Sequence, residues 1–463
     1  MHRTIAIAAL LAAAPLLPAQ QAPAPAAGEV LSCDDEKLEA ALADLKKEAQ
    51  EQNSPRAARQ VYLRYDFAGH RPQAEAWAQR FVSMLTEMAG RGNVNAMMNL
   101  AYLYLQGDPV VPADREKALV WLKAAEAGEN AGACILLAHV YAADNDMQGV
   151  NASYRHAFAI YEKRAAAGDV KAKLAMADLL FNGLGVQEDR DRAVDIYKEL
   201  AKHDDPTALS ELFRIFSTYS KSEAGTRKAF EYARRLADLG DTRMAYLMYC
   251  ELKRGRYMDK DEEAAAKYLE ASLKEPSPFP EALYQKGWDA ETAGNNAEAI
   301  LFYERAVQLN HDRARTRLGL LWLHGAQGDE GRERGRVLLE ESATTYNSPF
   351  SAYELARHYA QTGDSAKADD WYIKSSERGY APAMARRGLL HLNPFSPVEW
   401  SPTLAYRWWK QGERGQDPTC TRYLNLYLYL FIPLLVVLVF TLPLLILRKA
   451  KRKQRGADPT PRP

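Results

Sequence analysis

The chain has 463 residues, 47% of them apolar, with 60 basic and 60 acidic side chains in formal balance. Single hydrophobic cores stop growing near about 250–300 residues, so this length excludes one globular core and calls either for several domains or for a repeat array that packs only neighbour on neighbour. The charge is uneven: Arg448, Lys449, Lys451, Arg452, Lys453, Arg455 and Arg462 against Asp458 give the tail +6, Arg3 adds +1, and the body between sums to 0 − 6 − 1 = −7, which carries no electrostatic footprint for nucleic acid.

The N-terminus reads as an address. His2 and Arg3 precede an apolar run from Thr4 to Leu17, followed by a Pro/Ala/Gln stretch. That order predicts a secretory signal over 1–19, cut after Ala19, and a spacer over 20–33. Val30-Leu31-Ser32-Cys33 resembles a lipobox, but the cysteine lies far beyond the apolar core. Lipidation of Cys33 is therefore the lesser alternative. The charged, helix-patterned stretch from Asp34 to Gln52 predicts an N-terminal helical cap over 34–54.

From residue 55 to 418 one feature dominates. A small residue returns inside the same apolar setting at Ala101, Ala138, Ala177, Cys250, Gly287, Gly319, Ala356 and Gly388, with Phe213 filling the slot where none is small. Successive gaps by subtraction are 37, 39, 36, 37, 37, 32, 37 and 32. A period in that range predicts stacked helical hairpins. Apolar residues one position before the slot (Leu100, Leu137, Met176) and large ones three after it (Tyr104, Tyr141, Leu180) share one helix face, and the small residue lets a partner helix approach. A second helix then repeats alanine, aromatic, alanine, as in Ala118-Trp121-Ala125 and Ala193-Tyr197-Ala201. Gly128, Gly168, Gly240, Gly379 and Gly415 stand where left-handed caps would close it. The proline-dense segment 275–280 marks a kink or subdomain hinge, and Pro394 to Pro402 an inserted loop.

The pattern A-x-x-x-L-A-x-x-Y-x-x-G in Ala96 to Gly107, followed by D-x-x-K-A-x-x-W-L-x-A-A-x-x-G in Asp114 to Gly128, resembles the Sel-one-like repeat family, a branch of the tetratricopeptide superfamily. Ala172 to Gly183 with Gly185-Val186 and Asp189 is similar. The resemblance covers about ten repeats and implies an all-α, right-handed superhelical solenoid of helix-turn-helix units. Repeats near Ala282 and Ser351 have the shorter loop of ordinary tetratricopeptide units, whereas those around Phe213, Arg332 and Arg387 depart from the pattern.

No catalytic motif stands out: there is no H-E-x-x-H, G-x-S-x-G, P-loop or Ser-x-x-Lys pair, and the nine histidines make no ligand pairs at helical spacing. Cys33, Cys134, Cys250 and Cys420 are too scattered for a disulfide framework and read as small apolar fillers. Neither a cofactor nor a metal is expected. In the superfamily the first helices line a concave groove for a protein or peptide. Positions between the core-facing ones nominate Asn95, Met98, Tyr102, Gln106, His139, Lys171, Asp178, Asn182, Arg214, Glu251 and Arg254 as groove candidates.

From Tyr423 to Leu447 run 25 uncharged residues, enough at 1.5 Å each to cross a ~30 Å hydrocarbon layer. They predict a transmembrane helix kinked at Pro433 and Pro443, with Trp408, Tyr423 and Tyr427 at the interface and the cations Arg448, Lys449, Lys451, Arg452 and Lys453 opening a cytoplasmic tail over 448–463. Trp409 fits a core slot of the last repeat. With an exported N-terminus the repeats face outward, and the expected protein is an envelope scaffold in the periplasm of a Gram-negative bacterium, held at its inner membrane and serving assembly or export. An envelope enzyme or cell-wall-fragment binding protein is one alternative. A lumenal quality-control adaptor of the endoplasmic reticulum is another, because signal, repeats and a late single span resemble that protein too; Asn151-Ala152-Ser153 is the only acceptable glycosylation sequon, as chance alone would supply.

Overall fold

A computed structural model describes residues 35–325, 328–392, 400–436, 444 and 447–449. The predicted signal and spacer, Cys33, and the tail cations Lys451, Arg452 and Lys453 lie outside the described residues. All regular structure among those described is helical. The chain divides into two compact units, one to Leu236 and one from Ala237.

The first unit opens with α1 (Asp35–Glu51), the predicted cap. Its Leu38 and Leu42 pack against Val61, Tyr65 and Ala74 of the next two helices, α2 (Pro55–Phe67) and α3 (Arg71–Gly90). Hairpins follow in order: α4 (Val94–Gln106) with α5 (Arg115–Ala127), α6 (Ala131–Ala143) with α7 (Met147–Ala166), α8 (Val170–Asn182) with α9 (Arg190–Ala201), and α10 (Pro206–Thr218) with α11 (Glu223–Asp238). The second unit continues with α12 (Thr242–Arg254) and α13 (Glu262–Ala271), α14 (Pro280–Thr292) and α15 (Asn296–Gln308), α16 (Asp312–His324) and α17 (Gly328–Thr344), α18 (Pro349–Gln361) and α19 (Ser365–Glu377), and α20 (Ala381–Leu392) and α21 (Pro402–Arg414).

Local chemistry fixes where each helix begins. Asn93, Asn130, Asp169, Asp205 and Asp241 each precede a first helix and accept the N–H of a residue two or three positions on. Each such cap is worth about 1 kcal/mol over alanine. Helix ends are less uniform than the glycines imply. Gly168, Gly240 and Gly379 do take positive φ, but Gly128 and Gly415 do not. There the left-handed residue comes one position later, at Glu129 (φ 54°) and Gln416 (φ 61°).

The small slot is a contact between the two helices of a hairpin. A β-carbon on Gly287 would sit 2.6 Å from the Tyr303 ring, and one on Gly388 would sit 2.2 Å from the Trp409 indole nitrogen. Tyr303 and Trp409 are fully buried against those bare backbones, and the Trp409 N–H donates to the Ala385 carbonyl at 3.1 Å. Ala101, Ala138, Ala177 and Ala356 occupy the same slot fully buried. At Gly287 and Gly388 the missing side chain thus makes room for an aromatic ring on the partner helix, whereas Gly319 makes room for Leu339.

Past the last hairpin the chain forms α22 (Pro418–Leu426), a π-helical turn over Tyr427–Phe431 and α23 (Ile432–Val436). No helix among the described residues is long and apolar enough to cross a membrane. The predicted span is described only in part, since 437–443 and 445–446 lie outside the described residues. Its first residues also differ from the expected interfacial belt. Tyr423 and Tyr427 lie 5.8 Å from the Trp409 ring, and Tyr427 is buried, so both complete the core of the last hairpin. Trp408 is half-buried with the Arg387 guanidinium 4.2 Å above it. Arg448 and Lys449 are exposed.

Candidate functional site

The residue just after each small slot forms a positional series. In the first unit it is Tyr102, His139, Asp178 and Arg214; in the second it is Glu251, Trp288, Leu320, Arg357 and Leu389. A position one step from the closest helix contact lies at the margin of the packed face. Several of these side chains carry chemistry, yet two groove candidates turn inward instead. Glu251 is buried, and its carboxylate accepts the backbone N–H groups of Tyr257 and, at 3.2 Å, Met258, so it stabilises the loop after α12. Met98 is buried in the core between the α4–α5 and α6–α7 hairpins. Asn95, Gln106, Lys171, Asn182 and Arg254 are exposed.

The structure brings two candidates together on α8 and α10. The Asp178 carboxylate accepts the hydroxyl of buried Tyr197. Although the residue stays open to solvent, surrounding protein desolvates its carboxyl and pushes it up to about 6 against the opposing hydrogen bond from Tyr197. Glu211 raises Asp178 further and Arg214 lowers it, placing all three in one field. Arg214 pairs with Glu211 at 2.6 Å.

Sequence reasoning missed the aromatic part of this patch. Phe181 lies between two guanidinium groups, Arg190 at 5.2 Å and Arg214 at 5.3 Å, and meets the Tyr219 ring edge to face at 5.6 Å. Arg190 also stands 5.4 Å over Tyr219, which is half exposed. Tyr219 lies in the unit that departs from the repeat pattern, so no periodicity pointed to it. Two cations held on aromatic faces beside a crowded acid make a surface that can take a carboxylate and a planar side chain together.

His139 and Tyr102 play quieter parts. His139 meets Tyr154 edge-on at 6.5 Å, and burial holds its imidazole below the ordinary range. Tyr102 packs half-buried beside Met98. The second unit has its own exposed aromatic, Trp288, with Arg317 4.7 Å above its ring. Arg317 pairs in turn with Glu291, which also accepts the Tyr303 hydroxyl at 2.8 Å.

Among the described residues one mixed group of metal-ligating atoms comes together. Glu126 on α5, Cys134 on α6 and His156 on α7 each place a donor atom within 4.8 Å of the others. Cys134 is fully buried, as are Cys420 and their apolar neighbours, while Cys250 is half-buried.

Six segments match the Sel1 repeat. They are residues 94–129, 170–205, 223–241, 243–275, 282–311 and 381–415. Each matched Sel1 segment coincides with helices of the hairpin array, and the repeat type points to interaction with proteins. The chain resembles the crystal structure of a protective antigen of uropathogenic Escherichia coli displaying an SLR fold, with a TM-score of 0.52 and 21% identity over 84% of this chain and 82% of that one. A Sel1 repeat protein from Oxalobacter formigenes aligns at a TM-score of 0.39 and 16% identity, over 74% of this chain and 89% of that one. The first likeness supports the fold alone. No curated protein matches the chain significantly.

Proposed function

We propose that the chain is a membrane-anchored extracytoplasmic scaffold that seats a partner protein or peptide on its Sel1 hairpins and serves envelope assembly or export. The observation that carries this reading is the patch formed by α8, the start of α9 and the end of α10, where Arg190 and Arg214 stand over the rings of Phe181 and Tyr219 beside the desolvated Asp178. Large aromatic and arginine side chains in one partly desolvated place are the usual anchors of protein interfaces. The partner segment presents a carboxylate to the arginines and a planar side chain to Tyr219.

Anchoring is supported by the C-terminal segment. Leu428, Tyr429, Leu430 and Leu434 are exposed in succession, with Tyr429 at 78% and Leu430 at 65%. Contiguous exposed apolar surface needs a cover, and a bilayer followed by the cations of the tail supplies one. In this reading residues 1–19 export the chain, the repeats face the periplasm, residues 423–447 span the inner membrane, and the basic tail stays in the cytoplasm.

The test is affinity capture of full-length protein from detergent-solubilised native membranes, beside the Arg214→Ala/Tyr219→Ala variant. Envelope proteins retained by the parent should fall at least about tenfold in the variant, as loss of two anchor residues implies. An unchanged set of captured proteins sinks the interface assignment. Release of the chain by alkaline carbonate without detergent sinks the anchor.

A further inference from the structure

We propose that Glu126, Cys134 and His156 form a divalent transition-metal site of the zinc class, built across three consecutive helices of the first unit. The donors come from the end of α5, the first turn of α6 and the middle of α7, and lie within 4.8 Å of one another. Tetrahedral zinc with ligand bonds of about 2.0–2.3 Å places its donors about 3–4 Å apart, so small side-chain rotations suffice. Glu126 and His156 already meet that spacing, with carboxylate oxygen and Nδ1 3.0 Å apart.

The donor set selects the ion. One thiolate, one imidazole and one carboxylate mix soft, intermediate and hard character, which suits zinc and disfavours magnesium and calcium. Three protein ligands leave a fourth position for water or for a donor from a partner. The site has a buried and an open side: Cys134 is fully buried, while the His156 side chain is 45% and the Glu126 side chain 26% exposed. An ion can therefore enter from the surface and close on a ligand fixed in the core.

In the metal-free protein Cys134 is a fully buried thiol. Its S–H donates to the Asn130 carbonyl at 3.5 Å, with the Glu126 carboxylate close by. Metal binding breaks the Cys134 S–H bond, releases the proton to solvent and forms a metal–sulfur bond, with no change of oxidation state. A bound ion would tie α5 to both helices of the following hairpin, adding to the apolar packing there and to the bonds from Arg115 to Val140 and Asp144.

The experiment uses the full chain in detergent, stripped with chelator and then titrated with zinc alone against a chromophoric competitor, and separately with cobalt(II). One equivalent of zinc per chain is expected. Cobalt should give near-ultraviolet thiolate charge-transfer and the visible bands of a four-coordinate ion. His156→Ala removes an exposed ligand and Cys134→Ala a buried one, and each should weaken binding by about tenfold or more. Cys250→Ala should leave it unchanged. His156→Ala keeps the core intact, so its far-ultraviolet circular dichroism should match the parent and its metal loss stands even if Cys134→Ala folds poorly. Binding well below one equivalent, cobalt spectra without a thiolate band, or zinc affinity unaffected by His156→Ala each overturns the assignment.

Discussion

Tyr197 in the first unit and Tyr303 in the second occupy equivalent places, each fully buried on a second helix and each donating its hydroxyl to an acid on the first. What surrounds the acids differs. Glu291 also receives the Nε and Nη2 of Arg317, so its charge is compensated in place. Near Asp178 the corresponding cation, Arg214, pairs with Glu211 instead, and the carboxyl is left with a phenol and a crowd of protein. One packing device thus yields a closed ion pair in one unit and an acid of raised pKa in the other. A surface that leaves charge unspent in this way has more to offer a ligand.

The largest expected effect tests the shared part. Tyr197→Ala and Tyr303→Ala should each cost about 3–5 kcal/mol, as removal of a buried aromatic does, read by chemical denaturation. A marked inequality between them would show that the two slots are not equivalent. Next comes the difference. Arg317→Met leaves the half-buried Glu291 with one partner and should cost about 1–3 kcal/mol. Arg214→Met loses a partly exposed pair three residues apart and the guanidinium's contact with Phe181, and should cost under about 1 kcal/mol. Equal losses in those two variants would erase the contrast.

The smallest effect concerns pH. Asp178 titrates near 3.8 when unfolded and near 6 when folded. Below the lower value both states hold the proton and the group is neutral to stability. Between the two the folded state retains a proton the unfolded state has lost, so stability falls as pH rises, and above about 6 the loss is constant. Asp178→Asn should flatten that window and be the more stable form at pH 7, by under about 1 kcal/mol because the side chain is open to solvent. Parent and variant losing stability in parallel from pH 4 to 6 would place the raised titration elsewhere.

The hairpin array was legible in the sequence because its signal is geometric. Ala101, Ala138, Gly287 and Gly388 are small for a reason that recurs with each repeat, the approach of a partner helix. The left-handed joints were displaced at Glu129 and Gln416, since glycine one residue earlier leaves the chain free to make the turn a step later. The groove was half legible. Spacing marks which residues leave the packed face but cannot see that Glu251 finds two N–H groups in the next loop, or that Met98 meets the neighbouring hairpin. Phe181, Arg190 and Tyr219 assemble across two hairpins, and Glu126, Cys134 and His156 across three helices. Neither group has a periodic spacing that a search along one helix could recognise.

Trp409 is shared between the last hairpin and the segment that follows it. Its ring packs on Gly388, bonds Ala385, and is covered by Tyr423 and Tyr427. The end of the array is consequently welded rather than tethered. A force or rotation applied to the C-terminal segment passes through that indole, and through Cys420 against Gly412 and Ala381, into α20 and α21, so the segment can act as a lever on the last hairpin where a leash of loose chain would only limit its reach.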